Sequence, residues 1–151
     1  MNNKADKISA ALAGLRGLPD LPLDQCYLGY FAYFNEGKYY EAHDALEQLW
    51  LTTRDANHSF YKGLIQMAGA FVHLRKQYQR PGHRVDGKRL HPAVRLFKLA
   101  EKNLQPYRPR QLHLDVEALC SLCAGFAGEI EESKFSRNPW SPSETPQLIL
   151  K

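Results

Sequence analysis

The feature that most constrains this chain is a long, almost wholly apolar segment that begins near Phe60 and ends near Tyr78. Apolar side chains recur there at intervals of three and four residues, the spacing that places them on one face of an α-helix, and others cover a second face. The first face holds Phe60, Leu64, Met67, Phe71, Leu74 and Tyr78, and the second holds Ile65, Ala68 and Val72. A helix that is apolar on so many sides must be surrounded by other elements. The segment is therefore predicted to be the central helix of a bundle.

Helical periodicity continues on both sides of this central helix, and turn residues separate the segments. The flanking predictions are a short arm near residues 8–15, a helix capped by Asp24 that ends near Asn35 before Gly37, a helix from Lys38 to about Thr52, one from Leu90 with Pro92 in its first turn, and one from about Leu114 to Glu132. Ser59 is predicted to cap the central helix. No alternating run is long enough for a strand. The predicted fold class is all-α, a compact bundle of about five or six helices.

The length and composition predict one domain that spans residues 1–151. Three prolines after Asn138 predict an extended tail over residues 138–151. The chain shows no signal peptide and no membrane-spanning segment, so a cytoplasmic location without a membrane partner is expected. The three cysteines are expected to be reduced thiols, and Cys120 and Cys123 lie on an apolar stripe where small core thiols are typical.

Polar residues on two of the predicted helices form the first candidate site. His43 and Glu47 are four residues apart and share a helix face, while Gln66 and His73 are seven apart on the otherwise apolar central helix. Buried polar groups need hydrogen-bond partners, so these two faces are predicted to meet. The whole candidate cluster comprises Glu41, His43, Asp44, Glu47, Trp50, Gln66 and His73.

Three interpretations of this cluster remain open on the sequence. It could be an internal polar clamp that fixes helix register, with no chemistry. It could hold a divalent metal as cofactor, with His43, Glu47 and His73 as candidate ligands. The paired Glu-x-x-His pattern of di-iron bundles is absent. It could also act in acid–base catalysis, with Glu47 raising the basicity of a histidine, although no nucleophile is evident.

The distribution of charge gives the second candidate site. Residues 75–110 contain eleven Lys or Arg and two acidic residues, a net charge of +9, whereas the rest of the chain has nine basic and fourteen acidic residues, a net charge of −5. Such a concentration can bind phosphates, although a solvated helix face has the same composition. The candidate anion-binding residues are Arg84, Lys88, Arg89, Arg95, Lys98 and Lys102. No helix-turn-helix or RNA-binding motif is recognisable.

The chain resembles a family of small, mostly bacterial proteins known as domain of unknown function 309. The resemblance rests on Phe34, Asn35, Gly37, Tyr39, Tyr40, Glu41, His43, Asp44, Leu46, Glu47 and Trp50, and then on Leu64, Ile65, Gln66, Ala68 and His73. It extends over about residues 27–104 and implies a compact helical bundle with the polar cluster as its hallmark. It implies no activity. Two departures are a longer, more basic loop over residues 79–91 and Pro92 where the family commonly has glycine.

The functional prediction is a binding or accessory module with an internal polar cluster, whose partner is another protein or a second copy of the chain. The alternative is a metal-dependent or acid–base enzyme, hydrolase-like, that uses His43, Glu47 and His73. A second alternative is a nucleic-acid or anion binder that uses the basic residues between positions 84 and 102.

Overall fold

The computed structural model describes residues 3–15 and 18–151, which form a helical bundle with one small β-ribbon. The helices are α1 (Asn3–Ala13), α2 (Gln25–Asn35), α3 (Tyr39–Thr52), α4 (His58–Gln79), α5 (Leu90–Leu104) and α6 (Val116–Glu132). The ribbon pairs β1 (Arg110–Gln111) with β2 (Leu114–Asp115) in antiparallel register. Short 3-10 turns lie at Gln105–Tyr107 and Pro142–Glu144. The predicted all-α fold class is confirmed.

The central position of α4 is clearest at Phe71, whose side chain is fully buried. Its ring contacts Phe34 of α2, Tyr39 of α3, Phe97 of α5 and Phe126 of α6, with ring centroids 5.0 to 5.3 Å apart. Aromatic pairs at this separation add to the stabilisation that burial of their surface gives. One side chain of α4 therefore joins four helices of the bundle, as the periodicity of α4 predicts.

Two glycines of α4 allow α5 to approach closely. A methyl group added at Gly63 would lie 2.9 Å from Cγ of Leu104 and 3.2 Å from the backbone oxygen of Ala100. One added at Gly69 would lie 3.2 Å from a methyl carbon of Leu96. The absence of a side chain at Gly63 thus sets the distance between α4 and the end of α5.

The helix boundaries lie close to the sequence predictions except at two starts: α1 begins at Asn3, before the arm predicted near residues 8–15, and α4 begins before its predicted cap. The carboxylate of Asp24 accepts a hydrogen bond from the Cys26 N–H and caps α2, and Gly37 follows that helix at a φ of 77°. Helix α4 instead begins at His58, with Asn57 preceding it and no capping side chain. The predicted cap at Ser59 is wrong, because Ser59 already lies in the first turn.

The β-ribbon was not predicted, because its strands are too short to produce an alternating pattern. Its turn places Leu112 and His113 at positive φ, 45° and 65°. Leucine rarely adopts this conformation, and the usual Asn-Gly hairpin signal is missing. The ribbon leads directly into α6, where Asp115 accepts a hydrogen bond from the Ala118 N–H.

The C-terminal tail is extended apart from its 3-10 turn, as predicted, and several hydrogen bonds fix it to the rest of the chain. Trp140 is buried, and its Nε1–H donates to the hydroxyl of Tyr39 at 3.0 Å. The side chain of Asn35 forms two hydrogen bonds with the backbone of Leu148, one accepted and one donated. The tail therefore closes the side of the bundle formed by α2 and α3.

A pair of helical glycines tests the close packing of α4 and α5. Gly63→Ala should destabilise the protein by about 1–3 kcal/mol, because its new methyl group meets Leu104 and a backbone oxygen. Gly125→Ala is the matched control, since an added methyl group there has nothing within 4 Å. The control should raise stability by up to about 1 kcal/mol through helix propensity. Urea unfolding measures both, and equal effects of the two changes would contradict this packing.

Candidate functional site

The first half of the predicted polar cluster lies on α3, beside α1. His43 Nδ1 is 3.3 Å from Asp44 Oδ1, and His43 Nε2 is 4.0 Å from Glu47 Oε2. The Lys4 ammonium of α1 lies 3.4 Å from Asp44 and 3.7 Å from Glu47. The Asp44 carboxylate raises the pKa of Lys4, and Glu47 raises it further. The carboxylates of this half therefore already hold a primary ammonium group.

The second half of the cluster pairs with Arg89, which directly precedes α5, and with Asn103, near the end of α5. Gln66 Oε1 accepts a hydrogen bond from Asn103 at 2.7 Å, and His73 Nδ1 lies 3.0 Å from Arg89 Nη1. A guanidinium can only donate, so His73 Nδ1 is the acceptor. Burial lowers the pKa of His73, and the charge of Arg89 lowers it further, which keeps the ring neutral.

The two halves are not joined to each other. Within residues 3–15 and 18–151, no hydrogen bond or ion pair links His43 or Glu47 with Gln66 or His73. The sequence pattern did not indicate Arg89 or Asn103 as partners. The signal that was available in the sequence is the set of small residues Gly63, Gly69 and Ala70 on α4, beside which another helix can approach closely.

The remaining cluster members, Glu41 and Trp50, have separate surroundings. Glu41 is exposed in the first turn of α3. The Trp50 ring stacks on His58, with centroids 5.1 Å apart and planes 26° apart. In the described part of the chain, Trp50 Nε1 is the single buried side-chain nitrogen or oxygen without a hydrogen-bond partner.

The described residues provide no metal centre. No three His, Cys, Asp or Glu side chains among them lie close enough together to hold an ion. His73 lies beside the Arg89 guanidinium, whose charge opposes a cation, and the carboxylates near His43 are paired with Lys4. The arrangement therefore gives no support to a metal bound by His43, Glu47 and His73.

The cysteines are free thiols in apolar surroundings. Cys120 and Cys123 are buried on α6, and burial raises the pKa of both thiols. Burial also raises the pKa of Cys26 to about 11, with a smaller contribution from Asp24. Thiols with raised pKa values are poor nucleophiles and poor metal ligands near neutral pH.

A cleft of about 340 Å³ lies where α1 crosses α2 and α3. Helix α1 is fixed there by Leu12, which is buried against Gly29, a position where a methyl group would collide with Leu12. The cleft combines apolar and charged side chains, namely Lys4, Lys7, Ile8, Ala11, Tyr33, Glu41 and Asp44. Burial raises the pKa of Tyr33, and the charge of Glu41 raises it further.

The loop between α4 and α5 is organised by Asp86, which is nearly buried. Its Oδ2 accepts from Arg80 at 3.0 Å, and its Oδ1 accepts from Arg89 Nε at 2.9 Å and from Arg89 Nη2. The ring of His83 accepts from the backbone N–H groups of Val85 and Asp86. The hydrogen bond from Arg89 lowers the pKa of Asp86. No pattern in the sequence indicated that this acidic residue orders the loop.

The predicted anion-binding residues fall into two groups. Arg89 is used internally by Asp86 and His73, and Lys98 is paired with Glu131 at 2.8 Å. The others are exposed and have no carboxylate partner among the described residues: Arg84, Lys88, Arg95 and Lys102.

The comparison with protein families matches residues 27–85 to the model described as Domain of unknown function (DUF309). Residues 27–85 are thus similar to the DUF309 family. The match confirms the predicted resemblance and is shorter than the predicted range of 27–104. No curated protein and no solved structure matches the chain. Both halves of the polar cluster lie within the DUF309 segment, whereas their partners Lys4, Arg89 and Asn103 lie outside it.

No helix among the described residues is both long and apolar enough to cross a bilayer.

The role of Asp86 can be tested by proteolysis. Asp86→Asn should loosen the loop, because it removes the charge that holds Arg80 and Arg89. Trypsin should then cleave the native protein faster after the basic residues of the loop. Asp20→Asn is the control, since Asp20 is exposed and outside the loop. Equal cleavage of the two variants would contradict the organising role.

The neutral His73 predicts a loss of stability in mild acid. Its pKa is below 6.5 in the folded protein, so the unfolded chain takes up this proton at higher pH than the folded one. The protonation equilibrium of His73 does not change the free energy of unfolding above about pH 7, and it lowers that free energy as the pH falls through 6.5. His73→Gln retains an acceptor for Arg89 and should lessen the fall in unfolding free energy between pH 7.5 and 5.5. His91→Gln, at an exposed position, should leave that difference unchanged.

Proposed function

We propose that this chain is a binding module whose site is the cleft between α1, α2 and α3, and that its ligand carries a primary ammonium group on an apolar body. The observation that carries the proposal is the Lys4 ammonium at the edge of the cleft, 3.4 Å from Asp44 and 3.7 Å from Glu47. The chain itself thus provides the chemical group that a ligand would replace.

The lining of the cleft fits such a ligand. Ile8, Ala11 and Tyr33 form apolar walls, while Glu41 and Asp44 place carboxylates at the edge. Ammonium groups donate strong hydrogen bonds to carboxylates. A volume of about 340 Å³ is within the range of small-molecule pockets and suits a short alkyl or aromatic body.

Lys4 can leave its carboxylates at low cost. Half of its side chain is exposed, and ion pairs that are open to water contribute roughly 0–1 kcal/mol. An incoming ammonium group regains the contact with Asp44, while the apolar body of the ligand gains burial. The balance favours a ligand over Lys4 wherever that body fills the cleft.

The enzymatic alternative has less support. The closest approach of His43 to Glu47 is 4.0 Å, beyond hydrogen-bond distance, and Cys26, Cys120 and Cys123 have raised thiol pKa values. The Nδ1 lone pair of His73 is occupied by Arg89, so that nitrogen is not available as a base. General acid–base catalysis needs a base within reach of a substrate proton.

Three six-carbon probes that differ in their head group test the binding proposal. In an NMR titration, hexylammonium should shift the amide signals of Ala11, Tyr33 and Asp44, with a dissociation constant on the order of 1 mM. Hexanol should bind more weakly, and hexanoate should bind least. A capped tripeptide with a central lysine distinguishes a protein side chain from a small amine as the natural source. Hexanol that binds as well as hexylammonium would contradict the proposal.

Two substitutions at the cleft should have opposite effects. Lys4→Gln removes the internal competitor and should strengthen hexylammonium binding several-fold. Asp44→Asn removes the main carboxylate and should weaken it. Glu131→Gln on α6 is the matched control, because it also removes one carboxylate of an exposed ion pair. A control that weakens binding as much as Asp44→Asn would reject the site.

A further inference from the structure

The structure shows which Lys and Arg side chains between residues 75 and 110 have no internal partner and can bind a ligand. Arg80 and Arg89 form ion pairs with Asp86. Lys98 forms an ion pair with Glu131, and Arg75 donates a hydrogen bond to the backbone oxygen of Gly37. Five exposed cations at the end of α4, in the following loop and on α5 have no carboxylate partner in the described ranges: Lys102 near the end of α5, and a group of four, Lys76, Arg84, Lys88 and Arg95. We call these four residues the basic face.

Several of these charges act on one region. Arg89 Nη1 lies 3.0 Å from His73 Nδ1. Burial lowers the pKa of His73, and the charges of Arg89, Lys76 and Arg95 lower it further. Between residues 75 and 100 the sequence contains a single acidic residue, Asp86. Its carboxylate is already paired with two guanidinium groups. The positive potential of the basic face is therefore not cancelled by nearby acids.

The loop that carries Arg84 and Lys88 is ordered in advance. The His83 ring accepts from the backbone N–H groups of Val85 and Asp86, and backbone hydrogen bonds run from His83 to Arg80 and from Gly87 to His83. A ligand bound by a preorganised loop does not have to offset the entropy of ordering it. This is an advantage for a site that binds through a few exposed cations.

An exposed ring accompanies the charges. His91 lies four residues before Arg95 on α5, and its exposed ring stacks on Phe135 with centroids 3.9 Å apart. Exposed rings beside cations are the combination that binds bases and phosphates of single strands. A membrane surface would need apolar side chains to insert, and Val85 is the one large apolar side chain that the described loop exposes.

From these observations we infer that the basic face binds the phosphodiester backbone of a single-stranded nucleic acid without sequence specificity. Lys76, Arg84, Lys88 and Arg95 contact phosphates, and the ring of His91 stacks with a base. This binding uses a different surface from the cleft between α1 and α3 and does not depend on it.

Fluorescence anisotropy with a labelled 20-nucleotide strand, as RNA and as DNA of the same sequence, tests the inference at 50 and 200 mM salt. Four phosphate contacts predict that affinity for a single strand falls about 50-fold over this range. Preference for the RNA or the DNA arm identifies the natural source. Binding that does not change with salt, or no binding to either strand, would overturn the inference.

A double variant and a matched control locate the site. Arg84→Gln with Lys88→Gln should reduce affinity at 50 mM salt, and its remaining salt dependence should be about 7-fold. Both side chains are exposed and unpaired, so the fold should persist, which a thermal melt checks. The control, Arg110→Gln with Lys62→Gln, removes the same charge. Its Lys62 lies about 21 Å along α4 from Lys76.

The remaining outcomes are also decisive. An equal loss of affinity in the control would mean that net charge rather than the basic face binds the strand, and would reject the inference. Vesicles that contain phosphatidylserine form a further arm, and binding to them without binding to either strand would assign the face to lipid instead. Unchanged hexylammonium binding by the double variant would show that the cleft and the basic face are independent.

Discussion

The burial of α4 at the centre of the bundle is the constraint on which the other features depend. Phe71 contacts aromatic rings from four helices at once, and Gly63 lets α5 lie close along the same helix. A change in the position of α4 would disturb each of these contacts together, because close-packed interiors cannot absorb extra volume. The orientation of α4 in turn decides which of its polar side chains reach which neighbours.

The same packing separates the polar residues of the DUF309 segment into two environments. Gln66 and His73 emerge where α4 meets α5 and the preceding loop, and they are satisfied by Asn103 and Arg89. The acidic side chains of α3 instead point toward α1 and hold Lys4. In both cases the partner lies outside the matched family segment. The surroundings of the cluster therefore depend on elements at both ends of this chain.

The two proposed binding surfaces are opposite in charge and different in construction. The cleft offers carboxylates beside apolar walls, with a lysine of the chain already in place. The basic face offers cations on a loop whose one acidic residue is used to hold the loop together. Ligand selection at the first would depend on the fit of an apolar body, and at the second on counterion release from phosphates.

The sequence by itself determined the helices, because the periodicity of apolar residues, Asp24 as a cap and Gly37 as a terminator are local signals. It also determined that α4 is central and that the tail is extended. It could not determine the β-ribbon, whose two-residue strands depend on positive φ at Leu112 and His113, or the start of α4 before Ser59.

The tertiary structure alone decided the partners of His43, Gln66 and His73, the role of Asp86 and the existence of the cleft. The physical reason is that helical spacing states which residues share a face. Which neighbour covers that face follows from the packing of all the helices together.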